Sequence, residues 1–237
     1  MTSIEIDIDD PEAVALWRSL GQLAQQLPGE WLLIGGLMVQ LHALERGHTH
    51  VRATRDIDIL AQARPPGALT ALHEKLGSLG FELVGPDLEG YAHRYRNEDG
   101  LIVDVLSPEG IKPPAKIGGL NAVEAPGGTQ ALKRAETVTV TVESTTFELR
   151  RPTLLGAILI KSRALMVHDD PETQREDLLR LLAIVEDPRS LSRELRPTER
   201  KWLRNAKERL DVDGPTGLNP DTRTRAAFAY ELLTARY

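Results

Sequence analysis

The sequence predicts an α/β (α+β) fold in which helices pack on a mixed β-sheet, followed by a helical C-terminal part. Two observations predict the sheet: apolar runs of strand length occur at 31–34, 55–60 and 101–106, and residues 137–149 are rich in Thr and Val. A third predicts the C-terminal part, because apolar residues recur at helical spacing from Pro152 onward.

Helix boundaries follow from capping residues and helix breakers. Asp10 and Pro11 are typical of an N-cap and a first helical position, and Pro28-Gly29 ends the helix that they begin. Asp170 and Pro171 begin a later helix in the same way. The predicted helices are 11–27, 36–46, 67–79, 153–167, 171–186, 197–210 and 221–235.

Strands are predicted where short apolar or Thr/Val-rich runs lie between turn residues. Asn97 to Gly100 is predicted to be a hairpin turn, because Gly100 can adopt a positive φ. The segment 107–128, rich in Pro and Gly, is predicted to be a loop. The predicted strands are 31–34, 55–60, 81–84, 91–96, 101–106, 137–142 and 146–149.

The composition of the 237 residues is that of an ordered protein, with 41% apolar and 27% charged residues. The absence of cysteine excludes a disulfide framework and a thiolate metal site. No apolar run reaches the roughly 18 residues of a membrane span, and the acidic N-terminus lacks a signal-peptide pattern; a cytoplasmic protein is expected. The net charge of −6 argues against a general nucleic-acid coat protein.

Charge is nevertheless unevenly distributed along the chain. Residues 1–150 carry a net charge of −8 and residues 151–237 a net charge of +2. This leaves open a local basic surface in the C-terminal part, where a nucleic acid could bind.

The stretch 31–60 combines two features that suit phosphate chemistry. Gly35-Gly36 ends an apolar run and opens onto a helix, so its backbone can approach an anion closely. Asp56 and Asp58 share one face of a predicted strand, and a pair of close carboxylates suits Mg²⁺. The alternative is a structural ion pair of these acids with Arg52 or Arg55.

Asp104 is the third candidate carboxylate, because it lies in the apolar strand 101–106. If this strand lies beside Asp56 and Asp58, the three acids form one cluster that can hold two Mg²⁺ ions. The alternative is a strand-end acid that faces solvent or pairs with Arg94 or Arg96.

Two charged residues in the predicted helices of the C-terminal part are candidates for the site. Lys161 is surrounded by apolar residues, so it either extends to water or meets a buried anion such as a triphosphate. Asp177, in the next helix, could orient Lys161 or accept a hydrogen bond from the ribose or base of a nucleotide. The alternative for both is a solvated helix face. His48 and His50 lack further metal-ligating neighbours and are interpreted as an incidental exposed pair.

Gly35-Gly36 followed by residues 52–58, Arg-Ala-Thr-Arg-Asp-Ile-Asp, resembles the first motif of the DNA polymerase β-like nucleotidyltransferase superfamily. The form Arg-x-Thr-x-Asp-Ile-Asp, with a later helical Lys and the stretch Arg-Glu-Asp-Leu at 175–178, is similar to the AbiEii/MenT-type toxin nucleotidyltransferases. The resemblance spans about residues 31–185. Two departures are Gly36, where many members have Ser, and the longer spacing between Gly36 and Asp56.

The resemblance implies a nucleotidyltransferase core with a site for an NTP and Mg²⁺. It implies that the glycine pair and Lys161 bind phosphates, that Thr54 belongs to the nucleotide site, and that Asp177 completes the site. The metal ligands that it implies are Asp56, Asp58 and Asp104, the last also being the candidate base for the acceptor hydroxyl.

We therefore expect a Mg²⁺-dependent nucleotidyltransferase with its core in residues 1–150 and a helical domain in 151–237 that completes the nucleotide site. By the resemblance, the acceptor is RNA, specifically tRNA, and the protein is a toxin neutralised by an antitoxin. The alternatives are a small-molecule acceptor such as an aminoglycoside, a protein side chain as acceptor, or a catalytically silent nucleotide-binding module.

The C-terminal surface is expected to discriminate between these acceptors. A basic cluster there favours RNA, and an acidic pocket favours a cationic small molecule. The candidates for the basic cluster are Arg196, Arg200, Lys201, Arg204 and Lys207.

Overall fold

The computed structural model describes residues 2–27, 31–48, 53–63, 67–167, 171–212, 214 and 216–235. Through residue 108 the elements are β1 (Ser3–Ile6), α1 (Pro11–Gln26), β2 (Trp31–Leu33), α2 (Gly35–Leu44), β3 (Asp56–Ala61), α3 (Ala68–Ser78), β4 (Glu82–Leu83), β5 (Tyr91–Ala92), β6 (Arg94–Arg96) and β7 (Ile102–Pro108). The predicted roles of Pro28-Gly29, His50, Arg52 and Asp170 lie outside the described residues.

The remaining elements separate into a mainly β segment and a helical segment. The β segment contains β8 (Lys116–Ile117), β9 (Leu120–Ala122), β10 (Glu124–Ala125), α4 (Gly128–Lys133), β11 (Ala135–Val142) and β12 (Thr145–Pro152). The helical segment contains α5 (Leu154–Val167), α6 (Pro171–Ala183), α7 (Pro188–Arg193), α8 (Pro197–Asn205), α9 (Lys207–Leu210) and α10 (Pro220–Thr234).

The central sheet has the order β2-β3-β7-β6-β4, and β10 adds to β7. The sheet is mixed, because β3 and β7 run parallel whereas β2 and β6 pair antiparallel with them. Helices of the C-terminal segment share one apolar core with this sheet. The mixed α+β fold with a helical C-terminal part is therefore confirmed.

Two smaller sheets flank the central one, with the orders β1-β11-β12 and β5-β9-β8. The predicted single strand 91–96 is wrong, because Ala92 pairs with Ala122 in one sheet and Arg94 pairs with Asp104 in another. The chain changes sheets at His93, whose carbonyl accepts a hydrogen bond from the Val105 N–H at 2.7 Å.

The prediction of a loop over 107–128 is also wrong in part. This segment contains β8, β9 and β10, strands of two or three residues that pair with one another or with β5 and β7, and Gly128 begins α4. The strand β1 was not predicted either; it pairs parallel with β11 and buries Ile4 and Ile6. Strands this short are stabilised by their partners rather than by their own sequence pattern.

Side-chain caps begin α1, α7 and α10. The Asp10 side chain accepts a hydrogen bond from the Glu12 N–H at 3.0 Å, as predicted for α1. Asp187, which directly follows the predicted helix 171–186, caps α7 by accepting a hydrogen bond from the Ser190 N–H. The single helix predicted for 197–210 is two, since α8 ends at Asn205, α9 begins at Lys207, and Ala206 between them is the cap of both. Among the described residues, no helix is long and apolar enough to span a bilayer.

Arg200 holds the C-terminal helices together and therefore does not present its charge on the predicted basic surface. Its guanidinium donates hydrogen bonds to the carbonyls of Ser192, Leu233 and Ala235 at 2.7, 2.6 and 3.2 Å. It thereby connects α7 and α8 to the end of α10. The prediction that Arg200 is a candidate for the exposed basic cluster is corrected by these contacts.

We expect Arg200→Met to lower the free energy of unfolding by about 2–4 kcal/mol, because it leaves several carbonyls without their charged donor. Urea denaturation monitored by circular dichroism measures the effect. Lys201→Met is the matched control, since Lys201 is the exposed neighbour on the same helix. Equal stabilities of the two variants would contradict the structural role of Arg200.

Candidate active site

Three carboxylates form a row at the centre of the mixed sheet. Asp56 and Asp58 lie two residues apart on β3 and share a face, whereas Ile57 between them is fully buried. The parallel register of β3 and β7 sets Asp58 directly opposite Asp104. One carboxylate oxygen from each of the three acids lies within 4.8 Å of the other two. The cluster expected from the sequence therefore exists.

The cluster is short of positive charge. Burial and the neighbouring Asp56 carboxylate raise the pKa of Asp58 to about 7; Asp104 adds to this, while Lys161 and the Gly36 N–H oppose it. Close carboxylate oxygens that repel one another are a donor set suited to a hard divalent cation. The three acids thus fit Mg²⁺ both in ligand type and in charge.

Asp56 is oriented by its own loop. The Thr54 hydroxyl donates a hydrogen bond to Asp56 Oδ1 at 2.9 Å, just before β3 begins. Arg55, the alternative structural partner, is exposed and forms no ion pair with Asp56 or Asp58 among the described residues.

The glycine pair packs directly on Asp58. Gly35 has a φ of +67°, and a Cβ added there would lie 1.7 Å from Asp58 Oδ2, so no larger residue fits. The Gly36 N–H donates a hydrogen bond to the Asp58 carboxylate, at the N-terminus of α2. The sequence predicted that these glycines bind phosphate; in the structure they hold a metal-ligand candidate in place.

Asp104 also forms a bidentate ion pair with Arg94. Of the two interpretations from the sequence, membership of the acidic cluster and pairing with an arginine, the structure shows both. Arg94 Nε donates to Oδ1 at 2.9 Å and Arg94 Nη2 donates to Oδ2 at 2.7 Å. The two residues lie opposite each other in the antiparallel β6–β7 pair, whose register is set by the turn from Asn97 to Gly100. The register that follows from the predicted hairpin turn could have identified Arg94, rather than Arg96, as the partner of Asp104.

Lys161 reaches the site from α5 and is held there by α6. Lys161 Nζ lies 2.8 Å from Asp177 Oδ2 and donates to Gln174 Oε1 at 3.0 Å. Asp177 is 1% exposed and does not line the cleft, so its position suits orienting Lys161 better than contacting a nucleotide. Gln174 was missed from the sequence, although it lies one turn before Asp177.

These groups line a cleft of about 910 Å³. Leu88 and Val167 are among the lining residues and are exposed although they are large and apolar. Three further acids line the cleft beyond the triad: Asp87, Glu89 and Glu124. They also border an adjoining cavity of about 440 Å³. Sequence reasoning missed this acidic mouth, because its residues come from a turn and from the segment predicted to be a loop.

We expect Gly35→Ala to lower the free energy of unfolding by about 2–4 kcal/mol, because it adds backbone strain to a steric overlap with Asp58. Gly119→Ala is the matched control: Gly119 also has a positive φ, of +85°, but has no atom within 4 Å of the added Cβ. It should cost about 1 kcal/mol. Denaturant unfolding measures both, and equal losses would contradict the close packing of Gly35 on Asp58.

The pKa of Asp58 makes the stability of the metal-free protein depend on pH. Because folding raises this pKa from 3.8 to about 7, the stability that the proton contributes is full below about pH 4 and is lost as the pH rises to 7. Asp58→Asn removes this titration. The free energy of unfolding of Asp58→Asn should therefore rise relative to that of the wild type between pH 4 and 8. The expected rise is a few kcal/mol, on the order of 1.4 kcal/mol per pKa unit.

Denaturant unfolding in EDTA across this pH range measures the difference. Asp99→Asn, in the exposed turn before β7, is the control for a lost carboxylate. A difference between Asp58→Asn and wild type that does not change with pH would contradict the raised pKa of Asp58.

No protein-family model and no curated protein sequence matches the chain. The fold is similar to the crystal structure of an antigenic nucleotidyltransferase-like protein from Paracoccidioides brasiliensis, with a TM-score of 0.50 and 15% sequence identity. The similarity covers 90% of this chain and 92% of that one. At this identity the comparison concerns the fold alone: the chain has the fold of a nucleotidyltransferase-like protein.

Proposed function

We propose that this protein is a Mg²⁺-dependent nucleotidyltransferase that moves a nucleotide from an NTP to an acceptor. The observation that carries the proposal is the triad of Asp56, Asp58 and Asp104, whose oxygens converge within 4.8 Å beside a glycine turn in a large cleft. Similarity of fold to a nucleotidyltransferase-like protein supports the same reaction class.

The three acids would hold Mg²⁺, which when bound supplies charge that positions the phosphates and stabilises the leaving pyrophosphate. Thr54 keeps Asp56 in the orientation that the site needs, through the 2.9 Å hydrogen bond. The Gly36 N–H does the same for Asp58. In this proposal phosphate oxygens also approach the backbone at the glycine pair, where α2 begins.

Lys161 binds the triphosphate as a point charge in this proposal. The buried carboxylate of Asp177 and the Gln174 amide hold its ammonium group at the cleft wall. Residues 1–150 thus carry the metal ligands, and the helical part, residues 151–237, closes the nucleotide site. Asp104 is the proposed base for the acceptor hydroxyl, a role that requires release of its ion pair with Arg94.

For the acceptor, the resemblance to toxin nucleotidyltransferases supports RNA, specifically tRNA, and with it a toxin role and a partner antitoxin. Basic residues with at least partly exposed side chains remain on and beside α8 and α9 after Arg200 is removed from the set: Arg196, Lys201, Arg204 and Lys207. They suit a polyanion near the helical part.

A second candidate is a cationic small molecule of the aminoglycoside kind, which the acidic mouth of the cleft favours. Asp87, Glu89 and Glu124 line both the cleft and the adjoining cavity. Carboxylates at this position attract amines and repel the phosphates of RNA.

The test is transfer of label from each α-³²P-labelled NTP, with Mg²⁺, to total RNA in one arm and to an aminoglycoside mixture in the other. We expect the wild type to label one of these acceptors and Asp56→Asn to be slower by roughly hundredfold or more. Asp99→Asn is the control and should match the wild type. Nucleotide binding without transfer to any acceptor, or equal rates for wild type and Asp56→Asn, would overturn the proposal in favour of a silent binding module.

A further inference from the structure

Arg94 has a position that the proposed reaction leaves unexplained. Asp58, Asp104 and Arg94 lie side by side on β3, β7 and β6, because Asp104 is in register with both of the others. The guanidinium of Arg94 engages both carboxylate oxygens of Asp104, at 2.9 and 2.7 Å. The same two oxygens are the only ligand atoms that this side chain could offer to a metal.

Charge explains why a cation is held at this position. Three carboxylates lie within 4.8 Å of one another, and Lys161, the cation on the opposite side, is already paired with the buried Asp177 at 2.8 Å. Arg94 is thus the cation in direct contact with the row of acids, within the part of the chain that the structure describes. It offsets a repulsion that a divalent cation would otherwise offset.

The solvent exposure of the Arg94 side chain decides whether its ion pair with Asp104 can break. The Arg94 side chain is 40% exposed and lines the cleft, so it can swing into solvent without disturbing the core. Arg151 provides the contrast, because its side chain is 1% exposed and is fixed between Glu45 and Glu136. An entering cation can therefore replace Arg94 at Asp104, whereas Arg151 stays paired with its two glutamates.

We propose that Arg94 is a positioning residue that latches Asp104 in the metal-free protein and releases it when a divalent cation binds the acidic cluster. The latch rests on the metal site of the proposed function. It lowers the affinity of the free protein for Mg²⁺, because each binding event must break a bidentate ion pair. It also keeps Asp104 aligned with Asp58 while the site is free of metal.

The test is Mg²⁺ binding to the nucleotide-free protein, measured by calorimetry and by the Mg²⁺-dependent rise in melting temperature. The ion pair of Arg94 with Asp104 competes with an entering cation, and a charged hydrogen bond of this kind changes an equilibrium on the order of tenfold. We therefore expect Arg94→Gln to bind Mg²⁺ on the order of tenfold more tightly than the wild type. Arg96→Gln removes the same charge two residues along β6, where the side chain is exposed, and should stay within about twofold of the wild type.

Arg94→Lys keeps the charge but loses the bidentate geometry, so it should bind Mg²⁺ more tightly than the wild type and less tightly than Arg94→Gln. This variant decides the question if Arg94→Gln does not fold. A residue that merely supported the structure would weaken metal binding when replaced. Unchanged or weaker Mg²⁺ binding by both Arg94 variants, or an equal gain in Arg96→Gln, would overturn the latch.

The transfer assay separates this failure from failure of the proposed function. If the wild type transfers label but the Arg94 variants bind Mg²⁺ no more tightly, the latch is overturned and the nucleotidyltransferase stands. If tighter Mg²⁺ binding appears in the Arg94 variants without label transfer by the wild type, the latch is upheld and the proposed reaction is overturned.

Discussion

The register between β3 and β7 is the constraint on which the rest of the site depends. It sets Asp58 directly beside Asp104, with Asp56 two residues away on the same face, and so concentrates negative charge on a partly buried surface. Such a surface is unfavourable unless other groups offset the charge. Much of the surrounding structure can be understood as the set of contacts that do so.

These contacts come from different levels of structure. Thr54 acts within its own loop, the Gly36 N–H acts through the start of a helix, and Arg94 acts across a sheet. Lys161 arrives from the helical part of the chain and needs Asp177 to keep it there. The pKa of Asp58 nevertheless stays near 7. The protein groups therefore offset the cost of burial and the repulsion only in part, which is the condition under which a divalent cation binds with most advantage.

The sequence predicted the elements that carry the charges and failed on those that shape the cleft. The strands holding Asp56 and Asp104 are long, apolar and buried, so their pattern is determined by their own residues. The strands β8 to β10 have two or three residues each, and β9 and β10 form through pairing with partners distant in sequence, which no local pattern encodes. Arg200 illustrates a second limit: its sequence context indicates an exposed basic residue, but only the packing of α10 shows that its guanidinium is engaged by backbone carbonyls.

For the proposed nucleotidyltransferase, the residues that would select the acceptor lie in the region where sequence patterns are weakest. Glu124 lies on β10, inside the segment that was predicted to be a loop. Asp87 and Glu89 lie in the turn between β4 and β5. Together with the triad they give the cleft six acidic lining residues, while the remaining basic residues of α8 and α9 lie outside the cleft lining. A polyanionic acceptor would have to pass those acids to reach Asp104, whereas a polyamine would be drawn toward it. The electrostatics of the mouth thus favour the cationic acceptor, against the resemblance of the first motif to enzymes that modify RNA.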